Sequence, residues 1–156
     1  LLIIMKAFSF KLHTLKQLRK ANREKALHAY GIAVHESEKI ENDLARKKSA
    51  LESLQNRIKL KRSGNFFGQE EESYQRNIAS VKNDILSVHK SLKNSQEIRE
   101  AKRKLFLIAE AEFKSLEKLK EKQKIEHDQG EQKKEESQID DIISARFNYN
   151  LKTSIS

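Results

Sequence analysis

The sequence predicts an all-α fold: a long antiparallel two-helix coiled-coil hairpin with an overhanging C-terminal helix. Three observations carry this. Apolar residues recur at alternating four- and three-residue spacing at Tyr74, Ile78, Val81, Ile85, Val88 and Leu92, and compatible spacing joins Ile40, Leu44, Leu51, Leu54 and Ile58. The two runs are separated by one glycine-bearing stretch, Gly64 to Gly68. Finally, the 156 residues include no Pro, no Cys, no Trp and only 4 Gly, so little interrupts a helix.

The composition sets the thickness of the core. Charged residues make up 35% of the chain and hydrophobic ones 37%, the latter regularly spaced, which leaves one thin seam instead of a globular interior. Sustained heptads without Pro argue against whole-length disorder despite the high charge. The absence of Cys fits a reducing compartment. The opening Leu1-Leu2-Ile3-Ile4 is shorter than the roughly 7–15 apolar residues of a signal peptide or the roughly 20 of a membrane span. Met5 therefore reads as the start, and the chain as cytoplasmic.

The first helix is expected from Ser9, whose hydroxyl can cap the opening turn, to Arg62, a span of about 80 Å at 1.5 Å per residue. Its last turn is basic, with Arg57, Lys59, Lys61 and Arg62, and Gly64 offers a left-handed stop. Residues 63–68 form the loop. The second helix opens with Glu70, Glu71 and Glu72, negative charge at a helix N-terminus, and runs over residues 69–146 with a frayed tail at 147–156. It is then longer than the first, so its C-terminal part overhangs. Residues 126–138 hold no aliphatic side chain and no Phe, Tyr or Trp, and are read as a solvated helix or hinge that cannot be buried.

Folding about the loop pairs positions whose numbers sum to about 132. Leu51 then faces Val81, Leu44 faces Val88 and Ile40 faces Leu92. The next layers turn polar or small together: Ser37 faces Ser95, Ala33 faces Arg99, Tyr30 faces Lys102 and Ala26 faces Phe106. A loosely packed mid-section follows from that coincidence.

Catalytic and metal-binding patterns are missing. His13, His28, His35, His89 and His127 are scattered without ligand spacing, and the Gly64-Asn65-Phe66-Phe67-Gly68 stretch lacks the Gly-Lys-Ser/Thr ending and preceding strand of a phosphate loop. No cofactor, metal or enzymatic activity is expected. Charge is uneven: residues 1–125 carry 28 Lys and Arg against 16 Asp and Glu, while 126–156 carry 4 against 7. No aromatic residues alternate with the basic ones to stack bases, so a solvated face is favoured over nucleic-acid binding, which stays the alternative together with a structural coiled coil. The ends are more informative. Phe8, Phe10, Leu12, Leu15 and Leu18 make an apolar start, and Ile139, Ile142, Ile143 and Phe147 lie at i, i+3, i+4 and i+8 on a polar tail. That stripe is either paired with the N-terminal start or offered to a partner. Phe66 and Phe67 either clamp the turn or form a contact point.

The start Phe8-x-Phe10-x-Leu12-x-x-Leu15-x-x-Leu18-Arg19, the run Leu116-x-x-Leu119-Lys120-Glu121-Lys122, and Ile139-Asp140-Asp141-Ile142 with Arg146 resemble the FliJ family of bacterial flagellar export proteins, to which the YscO-like injectisome proteins are similar. The resemblance implies a non-catalytic stalk, similar to the gamma subunit of rotary ATPases. Its partners would be a hexameric FliI-like export ATPase, an FlhA-like export gate and export chaperones, and it would sit at the cytoplasmic face of the inner membrane as a monomer when isolated. Carried onto this chain, the ATPase contact comprises Phe8, Phe10, Arg19, Arg23, Ile139, Ile142, Ile143, Arg146 and Phe147. The gate contact comprises Tyr74, Gln75, Ile78, Val81, Lys82, Ile85 and His89. Four of the latter are seam residues, which leaves Gln75, Lys82 and His89 as the reachable flank.

Overall fold

A computed structural model describes residues 6–64 and 68–155. Two helices account for nearly all of them: α1, His13–Arg62, and α2, Gly68–Ile155. There is no strand among the described residues. The helices pack against each other as an antiparallel pair, as the heptads predict. The chain divides into two compact units, residues 22–109 and the remainder.

In the unit of residues 22–109 the a/d seam forms the interior. Ala33, Leu44 and Ile58 are buried, Ile58 most of all at 3% exposure, and Ile40, Leu51, Leu54, Tyr74, Ile78, Val81, Ile85, Val88 and Leu92 are half-buried. Half-burial is what a two-stranded seam allows, since each knob keeps one open flank. The register is fixed beside the turn by ion pairs from Arg62 to Glu71 at 2.7 Å and Lys61 to Glu70 at 3.9 Å, whose numbers sum to 133 and 131. Both pairs are exposed, so each adds at most about 1 kcal/mol. Lys61 Nζ also lies 4.8 Å from the ring centroid of Tyr74. A hydrogen bond to the side chain of the same Tyr74, foremost, raises the pKa of the Lys61 ammonium above its ordinary value.

Two expectations for this unit are corrected. No described glycine has a positive φ, so Gly64 does not close α1 in the left-handed conformation. Instead the last turn tightens: Gly64 N–H donates to the Lys61 carbonyl at 3.2 Å and the Ser63 hydroxyl donates to the Leu60 carbonyl at 2.7 Å, satisfying carbonyls that the helix end leaves open. Phe66 and Phe67 lie outside the described residues. Tyr30 does not stop at Lys102 but stacks on Phe106, with ring centroids 6.3 Å apart and planes 2° from parallel. Helical side chains lean toward their own N-terminus, so in an antiparallel pair long side chains reach toward each other and meet about one turn off the backbone register. Ala26, small, leaves the room. The polar mid-layer is present: Ser37 is fully buried and Ser95 is 9% exposed, and an open groove lined in part by Ala33, Ile40 and Ser95 runs beside them.

The other unit combines residues up to 21 with those from 110 onward. α1 begins at His13, not Ser9: Phe10 carbonyl accepts from His13 N–H at 3.1 Å and Leu12 carbonyl from Lys16 N–H at 2.9 Å. Residues 6–10 are non-helical, and Phe10 is 7% exposed. Burying that ring keeps residues 6–10 out of the helix and displaces the cap expected at Ser9. Phe113 is 4% exposed beneath Lys16, whose ammonium is 5.8 Å from its centroid, and Arg19 pairs with Glu112 at 2.7 Å. The polar stretch 126–138 is continuous helix, but Glu131 within it is only 9% exposed. The expectation that nothing there could be buried is corrected by the non-helical N-terminal segment: Lys6 N–H donates to Glu131 Oε2 at 3.3 Å and the Phe8 ring sits 5.5 Å from the His127 ring. A polar helix face is covered when its polar atoms are paired. The tail does not fray at 147, as α2 runs to Ile155 with Thr153 Oγ1 donating to the carbonyls of Tyr149 and Asn150 at 3.1 and 3.0 Å.

Candidate functional site

The candidate surfaces lie on the exposed faces of the two helices. Among the described residues no three His, Asp or Glu side chains gather at a metal-sized site, and among them no helix is long and apolar enough to cross a membrane. Among the described residues the carboxylate whose pKa departs from its ordinary value is Glu131. The Lys6 backbone N–H, foremost, and then Lys134 and His127 hold it below its ordinary value. Lys134 Nζ is 3.4 Å away and His127 Nε2 4.0 Å. Its role is to anchor the segment 6–10, because its acceptor oxygens are spent on that segment and on its own helix.

Of the nine residues assigned to an ATPase contact, the structure divides the N-terminal from the C-terminal members. Phe10 is buried, Phe8 is half-buried against His127, Arg19 is engaged by Glu112, and Arg23 is half-buried. Phe10 therefore works as core, and the others are only partly open. The C-terminal members are open to solvent: Ile139 is 40% exposed, Ile143 60% and Phe147 62%, with Arg146 exposed and Ile142 half-buried. The heptad reading missed the continuation of this stripe. Leu151 and Ile155, 44% and 84% exposed, extend the four-residue repeat of Ile139, Ile143 and Phe147, while Tyr149, 68% exposed, lies on the other side of the helix, one heptad after Ile142. Steps of four advance about 40° around a helix, so the stripe winds slowly along α2. The signal was in the sequence, hidden by the assumption of a frayed end.

The gate set behaves as its spacing implies. Tyr74, Ile78, Val81 and Ile85 are half-buried seam residues, whereas Gln75, Lys82 and His89, seven residues apart, are exposed along one flank of α2.

A search of characterised proteins and a search of solved structures each found no match. A family model described as the flagellar FliJ protein matches residues 8–152, which takes in α1, the segment before it and nearly all of α2. The chain belongs to the FliJ family, and with it to the proteins of flagellar export.

Proposed function

We propose that this protein is a non-catalytic stalk and adaptor of the flagellar type III export apparatus. It engages the hexameric export ATPase through the C-terminal stripe of α2, and the export gate and chaperones through the turn-proximal part of the hairpin. The observation that carries the reading is the apolar stripe from Ile139 to Ile155, solvent-exposed on helix that no described part of the chain covers. Such a stripe suits insertion into a preformed groove or ring, where apolar anchors supply most of the binding energy. Family membership supports the choice of apparatus. Gln75, Lys82 and His89 are the flank available to the gate without opening the seam. We further take the chain to be a monomer when isolated and, in the cell, peripheral at the cytoplasmic face of the inner membrane, with no nucleic acid among its partners.

The test pairs folding with stimulation of the cognate export ATPase. Ile143→Asp and Phe147→Asp, both at well-exposed positions, should leave helical circular dichroism and melting unchanged yet abolish stimulation; removal of residues 139–156 should also abolish it, with only the helical signal of the deleted residues lost. Retained stimulation in all three variants would remove the tail from the contact. Loss of helicity would make the stripe part of the folded core.

A further inference from the structure

The hairpin of residues 22–109 carries a second apolar face that its own seam does not use. On α2 the positions one residue before Arg99 and Phe106 are Ile98 and Leu105, and with Ala101 and Ile108 they repeat at three- and four-residue spacing. A second heptad seam thus runs beside the first. Ile98, Leu105 and Ile108 are 48%, 55% and 57% exposed. On α1, Ala29 and Ile32 hold the equivalent flank, Ile32 at 53% exposure. Between the two lies an open groove of about 410 Å³, whose wall includes Ala29, Ile32, Ala33, Ile98 and Lys102. It coincides with the stretch where the primary seam is small or polar, Ser37, Ser95, Arg99 and Lys102.

Helices with two adjacent apolar seams are patterned to contact two neighbours, and the hairpin supplies only one. The charges around the groove define the other. Lys102, which lines the groove, forms no ion pair among the described residues, whereas Glu36, the acidic group lining the groove, is already paired with Lys39 at 3.7 Å. Residues 22–109 hold 18 Lys and Arg against 12 Asp and Glu, so a second copy of the chain would meet like charge. We infer that this groove receives an amphipathic helix with acidic flanks from a different protein, completing a local three-helix bundle. The surface is separate from the tail stripe and from the Gln75, Lys82 and His89 flank, and stands whether or not those serve the ATPase and the gate.

The test uses the full chain and two synthetic amphipathic peptides of about four heptads, alike in their Leu and Ile seam, one with Glu and one with Lys at the flanking positions. Fluorescence anisotropy should show saturable binding of the Glu peptide and at least about tenfold weaker binding of the Lys peptide. Ile32→Ser and Ile98→Ser should weaken the Glu peptide at least about tenfold, while Leu60→Ser and Leu86→Ser, at exposed apolar positions off the groove, should not. Lys102→Glu, on the groove wall, should shift the preference toward the Lys peptide. Equal binding of both peptides, or indifference to Ile32→Ser and Ile98→Ser, overturns the proposal. So does light scattering that shows a dimer of the free chain abolished by Ile98→Ser, which would give the groove to a second copy.

Discussion

Ser37 and Ser95 oppose each other across the seam at positions summing to 132, yet their hydroxyls are in different situations, and truncating each to Ala should separate them. Ser37 is fully buried and its Oγ has no hydrogen-bond partner among the described residues. Ser95 Oγ donates to the Leu92 carbonyl at 2.9 Å. An unsatisfied buried hydroxyl costs about 1–3 kcal/mol. Removing one oxygen opens about 15–20 Å³, which at about 24 cal/mol per Å³ gives back about 0.4 kcal/mol. The better helix propensity of Ala adds about 0.5 kcal/mol in its favour. Ser37→Ala should therefore stabilise the chain by about 1–3 kcal/mol. Ser95→Ala loses a made bond worth about 0.5–1.5 kcal/mol and regains about 0.5 kcal/mol of propensity, so it should be neutral to mildly destabilising. Urea unfolding followed by circular dichroism at 222 nm, with the slope checked for constancy, gives both values. If Ser37→Ala is no more stable than wild type while Ser95→Ala behaves as expected, the Ser37 hydroxyl is satisfied in solution and the reasoning fails.

Ile58→Ala removes a side chain that is 3% exposed and should cost about 2–4 kcal/mol, whereas Leu60→Ala, at 74% exposure, should stay within about 0.5 kcal/mol; equal melting temperatures would mean the seam is misplaced. A Leu51→Cys and Val81→Cys pair should oxidise within one chain and Leu51→Cys with Ile98→Cys should not, as read by mobility on non-reducing gels. Glu131 predicts a pH dependence. Its carboxyl is held below the ordinary 4.5 in the folded state, so its stabilisation of the segment 6–10 is present above that value and is lost as pH falls through the lower folded one. The Lys6 amide resonance should accordingly titrate below pH 4.5 in wild type and not at all in Glu131→Gln; titration at or above 4.5 would deny the anchoring bond.

The helices were legible because heptad spacing and helix-end charge are local: the acidic opening at Glu70 and Glu71 and the basic end at Arg62 mark the turn, and the seam follows from it. What escaped was set by contacts between residues distant in sequence. The start of α1 moved from Ser9 to His13 because Phe10 is buried, an outcome no capping rule contains. Glu131 reads as a solvated charge until the Lys6 backbone is laid against it. The contact between Tyr30 and Phe106 depended on the lean of side chains, which pairing by residue number ignores. The tail stripe was half visible: Ile139 to Phe147 announced it, but Leu151 and Ile155 were lost to an assumed frayed end.

The turn also dictates an order of events. The Arg62 to Glu71 contact spans 9 residues, the Arg19 to Glu112 contact 93, and the bond from Lys6 to Glu131 125. Loop closure costs more entropy as the enclosed chain lengthens, so the contacts beside the turn form at the smallest cost and each one shortens the effective loop for the next. Folding then proceeds as a zipper from Arg62 and Glu71 outward, and the segment 6–10 docks last. Opening runs the other way. In hydrogen exchange the Lys6 amide should exchange fastest among the bonded amides and those around Ile58 slowest, giving the chain a graded series of local openings instead of one all-or-none transition.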